Sequence, residues 1–91
     1  MAINSTSLFT TVITNSTFTI TPGMGLRSAS FVLISGVGQF KGTKPIGGTV
    51  SAYIPLTVGQ PVTISAEGPD VLGEFEIDSS GEGVIHLMAK Q

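Results

Sequence analysis

Short runs of β-branched and aromatic residues, separated at close intervals by glycine and proline, dominate this chain. Val, Ile and Thr supply 28 of its 91 residues, and 12 Gly and 5 Pro interrupt them. Branched side chains lose rotamer freedom in a helix but pack well on a pleated sheet, and no segment keeps a helical period. The sequence therefore predicts an all-β protein with no substantial helix.

The runs and the turns between them predict about seven strands in one domain. The predicted strands are residues 8–14, 17–21, 29–35, 49–54, 62–66, 71–78 and 84–89. Strands of this length and spacing are typical of a small antiparallel β-sandwich, and both Ig-like and jelly-roll-like orders fit them. We expect residues 1–7 to form an N-terminal arm and residues 8–91 to form the sandwich.

Two of these strands carry further predictions about their position in a sheet. The strand at 29–35 contains the longest apolar run of the chain, so we expect it to be central and buried on both faces. The strand at 71–78 alternates Phe75 and Ile77 with Glu74, Glu76 and Asp78, which predicts an edge strand whose outer face lies in water.

Charge is distributed very unevenly along the chain. All six acidic residues lie between Glu67 and Glu82, whereas the first forty residues carry one charged side chain, Arg27. A solvated domain normally spreads charge over its surface, so the uncharged, Ser- and Thr-rich half predicts a surface that a partner covers. A net charge of −2 with four basic residues argues against binding to nucleic acid.

The sequence also predicts that the protein avoids the membrane and the secretory route. Its longest apolar run, residues 31–34, is far shorter than the roughly 18 to 20 residues that span a bilayer. Its first residues lack the basic segment followed by an apolar segment that marks a secretory signal.

Residues that could carry catalysis or hold a metal are scarce. The chain has no Cys and one His, so neither a disulfide nor a histidine–cysteine metal site can reinforce its thin core. This favours association with other copies or with a larger body. We interpret His86 as a packed or rim histidine, because no nucleophile elbow accompanies it. The carboxylates of Glu74, Glu76 and Asp78 form a straight row, unlike a calcium loop. We therefore expect no enzyme, no cofactor and no metal.

The style of three segments, residues 16–23, 47–49 and 54–66, resembles small structural proteins of tailed bacteriophages. Such proteins decorate the head or form the base of head fibres. The resemblance implies a non-enzymatic virion protein, assembled in the host cytoplasm, that binds the capsid or its appendages and is itself oligomeric. It implies docking through an uncharged Thr, Ser and apolar face. The candidate interface residues are Phe9, Phe18, Ile20, Phe40 and Tyr53.

Two other kinds of binding protein fit the same sequence. An Ig-like or carbohydrate-binding module would use the glycine-rich loop predicted at residues 40–48 and Tyr53 as its contact surface, since aromatic faces beside polar groups suit sugars. An adhesin-like subunit would assemble by strand exchange through its apolar terminal strands, although the missing export signal argues against it.

Overall fold

The computed structural model describes residues 8–91, which form eight β-strands and one short 3₁₀ turn at Pro22–Met24. The strands are β1 (Leu8–Thr14), β2 (Thr17–Ile20), β3 (Ser28–Ser35), β4 (Gln39–Gly42), β5 (Ile54–Pro55), β6 (Val62–Ser65), β7 (Phe75–Asp78) and β8 (Val84–Lys90). The predicted all-β sandwich is confirmed, with eight strands instead of about seven. The arm predicted at 1–7 lies outside the described residues.

The strands form two antiparallel sheets of four strands each. Sheet A has the order β1-β8-β3-β6, and sheet B has the order β2-β7-β4-β5. The first strand thus pairs with the last, the second with the seventh, the third with the sixth and the fourth with the fifth. This order is that of a jelly roll, in which one long hairpin is wound into two sheets, and it is not the Ig-like order.

Alternation along each strand builds the core between the sheets. In β8, for example, Ile85, Leu87 and Ala89 are buried while His86 and Met88 are exposed. Phe31 is the central side chain, since its ring contacts Phe40 from sheet B at 5.3 Å. The buried apolar residues are Ile13, Ile20, Leu26, Ala29, Phe31, Leu33, Leu56, Leu72, Phe75, Ile77, Ile85, Leu87 and Ala89.

Close backbone contacts hold the turn between β7 and β8 in place. The hydroxyl of Ser79, which is fully buried, accepts a hydrogen bond from the Ser16 amide and donates one to the Ser16 carbonyl. A side chain at Gly83 would bring its Cβ within 2.1 Å of the Val37 carbonyl oxygen. Only glycine permits this approach. The turn then leads into β8, which lies between β1 and β3.

Four predictions about individual segments are wrong. The loop predicted at residues 40–48 begins inside a strand, since residues 40–42 belong to β4. Of the strand predicted at residues 49–54, only Ile54, the first residue of β5, lies in a strand. Thr49 makes no more than an isolated bridge with Ile46. The acidic strand β7 is not an edge strand, since β2 and β4 flank it. β3 is an inner strand as expected, but its outer face is only half-buried at Val32 and is exposed at Ile34.

No helix in residues 8–91 is long and apolar enough to cross a membrane.

Candidate functional site

The two sheets present outer faces of opposite character, and these are the candidate functional surfaces. On sheet A the outward side chains of β1, β3 and β8 form a surface that we call the neutral face, made of Thr10, Val12, Ser30, Val32, His86 and Met88. Among the outward side chains of the described strands of sheet A, only Lys90, at one end of β8, carries a formal charge.

The neutral face contains an open groove of about 520 Å³ along β8. His86 lies in the middle of it, because the register places Val12 on one side of this residue and Val32 on the other. Val12 is 56% exposed and Met88 is 36% exposed. Apolar side chains that cluster on a sheet surface, beside hydroxyl groups and away from carboxylates, are typical of a surface that binds another apolar surface.

On sheet B the outward side chains form a surface that we call the charged face. It is made of Thr17, Gln39, Lys41, Tyr53, Glu76 and Asp78. Hydrogen bonds tie these side chains to one another, and Lys41 joins them through an ion pair with Glu76, so the face is a polar network.

Asp78 is the centre of one half of that network. Its carboxylate accepts hydrogen bonds from the Gln39 amide at 2.9 Å, from the Thr17 hydroxyl at 3.0 Å and from the Ser80 amide at 3.2 Å. The hydrogen bond from Gln39 is the main reason why the pKa of Asp78 is lowered, and the bonds from Ser80 and Thr17 act in the same direction against partial desolvation.

Tyr53 and Glu76 form the other half. The phenol of Tyr53 donates a hydrogen bond to Glu76. Ionisation of the phenol would break this bond, and that is the main reason why the pKa of Tyr53 is raised to about 12. The ammonium group of Lys41 lies 4.0 Å from the same carboxylate and 4.6 Å from the centre of the Tyr53 ring. The lysine therefore pairs with the carboxylate and lies over one face of the aromatic ring.

The structure brings two of the five predicted interface residues together. Phe9 of β1 and Phe18 of β2 stack with their ring centres 5.9 Å apart, at the edge where the two sheets meet. Phe9 is 41% exposed, and both rings line an apolar cleft of about 460 Å³ that also includes Leu8, Met24 and Leu26.

The other three lie apart from these two. Ile20 is fully buried, so it belongs to the core and its assignment to an interface is wrong. Phe40 is half-buried and points inward, where it packs edge-on against Phe31. Tyr53 is 39% exposed on the charged face, on the opposite side of the sandwich from the groove of the neutral face.

The residues considered for catalysis or metal binding do not converge on one site. His86 is exposed on the neutral face, whereas Glu76 and Asp78 face away from it on the other sheet. In residues 8–91 no three His, Cys, Asp or Glu side chains are placed so that they could hold a metal ion.

The sequence analysis missed the neutral face because it assumed that residues close together along the chain share one surface. The first forty residues supply β1 and β3 to sheet A but β2 and half of β4 to sheet B, so they do not form one surface. The usable signal was alternation in β8, where His86 and Met88 alternate with buried residues and are therefore outward. Among known proteins, no family model, no curated protein and no solved structure matches this chain.

Proposed function

We propose that this protein is a non-enzymatic structural protein of a phage virion, which attaches to the capsid or its appendages through the neutral face. The observation that carries the proposal is the separation of charge between the two outer faces. A protein that must stay in water on one side and lie against a shell on the other needs this asymmetry, because burying unpaired charge against a partner is costly.

The contents of the neutral face support a protein partner. Val12, Val32 and Met88 supply apolar area, worth roughly 25 cal/mol for each Å² that is buried. The hydroxyl groups of Thr10 and Ser30 can replace their hydrogen bonds to water by hydrogen bonds to the backbone of a partner. Because this single patch is modest in size, useful attachment depends on repetition over many copies, as on a capsid lattice.

The jelly-roll fold is shared by proteins with different roles. Jelly rolls of eight strands occur in capsid proteins and also in lectin domains, so the fold alone does not select a function. The choice rests on the faces. The groove on the neutral face contains no carboxylate, whereas the polar groups of the charged face already bind one another.

The test is whether the chain is a stoichiometric part of virus particles. We expect particles produced from the genome that encodes it, purified on a density gradient, to contain a fixed number of copies by quantitative mass spectrometry. Particles stripped of the protein should rebind the wild type. They should fail to rebind Met88→Glu, because a carboxylate would be buried in the interface.

A matched control separates the face from general damage. Met24→Glu makes the same substitution at a similar exposure, 38% compared with 36%, but at a site off the neutral face. Met24→Glu should rebind like the wild type. Absence of the chain from purified particles, or equal binding of the two variants, would contradict the proposal.

Carbohydrate binding on the charged face is the second candidate. It is favoured by the exposed ring of Tyr53 beside Lys41 and Glu76, since sugars bind aromatic faces bordered by polar groups. Binding on a glycan array that Tyr53→Ala abolishes and Met88→Glu leaves intact would select this function over attachment through the neutral face.

A further inference from the structure

The edges of the two sheets are protected to very different degrees. The edge strands are β1 and β6 in sheet A and β2 and β5 in sheet B. An edge strand exposes unpaired backbone amides and carbonyls that can pair with another chain. Proteins prevent this with short strands, proline, charged side chains or bulges.

Three of the four edge strands carry such protection. β5 has two residues and ends in Pro55, and β2 has four residues with Pro22 two positions after its end. β6 also has four residues, and Pro61 directly precedes it. Short strands next to proline offer few hydrogen bonds to an incoming chain.

β1 carries none of these protections. It has seven residues, Leu8–Thr14, with neither proline nor a charged side chain. Its register with β8 is continuous over all seven positions, whereas β3 contains a shift between Leu33 and Ser35. Of the backbone hydrogen bonds that the described residues make outside the sheets, none involves β1.

We propose that β1 is a docking edge for a second copy of this chain, whose own β1 pairs with it in the antiparallel direction and joins the two A sheets into one. The proposal goes beyond attachment through the neutral face and does not depend on the identity of the shell. Antiparallel pairing of one strand with itself is isologous, so it forms a closed two-fold dimer instead of a fibre.

The side chains of β1 are self-complementary in that arrangement. A two-fold axis at Thr11, the middle residue, pairs all seven positions and keeps inward residues opposite inward residues. It places Phe9 opposite Ile13 of the second copy, and Val12 opposite Thr10 of the second copy. The exposed fractions of Phe9 and Val12, 41% and 56%, would both fall on pairing.

The charge distribution permits a second copy as the occupant. Each chain has a net charge of −2, but the strand residues Glu76 and Asp78 lie on sheet B and face away from sheet A. Two copies can therefore meet along β1 without bringing those carboxylates together. The joined sheet also places two neutral faces side by side, so attachment to a repeating surface would gain from two contacts at once.

The test is the mass of the purified chain as a function of concentration, by sedimentation velocity from the micromolar to the millimolar range. We expect a reversible monomer–dimer equilibrium. Thr10→Lys/Val12→Lys should weaken it at least tenfold, because the paired strands would then place lysines directly opposite each other. Thr63→Lys/Ser65→Lys puts the same charges on exposed positions of the other edge of sheet A and should dimerise like the wild type.

A cross-link tests the register separately. The chain has no cysteine, so Thr11→Cys should give a disulfide-linked dimer on oxidation, whereas Thr57→Cys, exposed outside the strands, should not. A wild type that stays monomeric throughout, or equal dimerisation of the two lysine variants, would overturn the proposal. Loss of the dimer in Met88→Glu but not in Thr10→Lys/Val12→Lys would also overturn it, since that pattern indicates face-to-face association.

Discussion

The outer faces of the two sheets cover one core and are built from strands of similar composition, yet they present different side chains to the solvent. The neutral face presents apolar and hydroxyl side chains around His86, with an open groove over them. The charged face presents Asp78 and Glu76, each bound by neighbouring side chains. A face whose polar groups satisfy one another stabilises the fold, whereas a face that leaves apolar groups exposed is available to a partner.

The largest expected effect comes from the core that both faces share. Phe31→Ala removes the central ring and should lower the free energy of unfolding by about 3–5 kcal/mol. The neighbouring Val32→Ala, on the neutral face, should cost about 1 kcal/mol or less. Urea unfolding followed by circular dichroism measures both. Similar losses for the two variants would mean that Val32 is a core residue and that the neutral face is not a separate surface.

The next effect concerns the stabilising role assigned to the charged face. Asp78→Asn replaces an acceptor of several hydrogen bonds by an amide that faces the Gln39 amide, so it should cost about 1 kcal/mol. Glu74→Gln, at an exposed residue just before the same strand, serves as the control and should change little. Equal unfolding midpoints for Asp78→Asn and the wild type would show that the hydrogen bonds of the charged face do not stabilise the fold.

Lowering the pH should remove the stabilisation by the charged face, because Asp78 becomes protonated. The pKa of Asp78 is lowered in the folded protein, mainly by the Gln39 hydrogen bond, so its stabilisation is present above the ordinary carboxyl pKa of about 4 and is lost as the pH falls through the lowered value. The stability difference between the wild type and Asp78→Asn should therefore shrink between pH 5 and strongly acidic solution, by roughly the cost of the mutation at neutral pH. A difference that stays constant with pH would show that the ionised carboxylate contributes nothing.

The smallest effect on stability, and the sharpest spectroscopic one, concerns Tyr53. It is the only tyrosine in the chain, so ultraviolet absorbance follows its ionisation directly. The wild type should titrate near pH 12, and Glu76→Gln should bring the pKa back toward 10, because the hydrogen bond from the phenol to the carboxylate is the largest cause of the rise. Circular dichroism at each pH provides the control for unfolding. An unchanged Tyr53 pKa in Glu76→Gln would show that Tyr53 is not part of the hydrogen-bond network of the charged face.

How far the sequence predicts the functional surfaces is clear from β7 and β8. Alternation predicted correctly that Phe75 and Ile77 point away from Glu76 and Asp78. It could not predict that β2 and β4 flank β7, because side-chain period is the same in an inner strand and in an edge strand. The contacts of Asp78 with Thr17 and Gln39 join residues 61 and 39 positions apart, and no local pattern records such pairs.

The sequence alone is enough to predict the class of the fold, since β-branched runs with frequent glycine and proline favour strands and exclude long helices. It also determined which side chains of β3 and β8 share a face, because successive side chains in a strand point to opposite sides. Three features are visible only in the tertiary structure: the jelly-roll order, the position of Ile20 in the core and the division of the uncharged half between two sheets. Pairing between distant strands depends on the collective burial of one core, and that is a property of the whole chain and not of any segment.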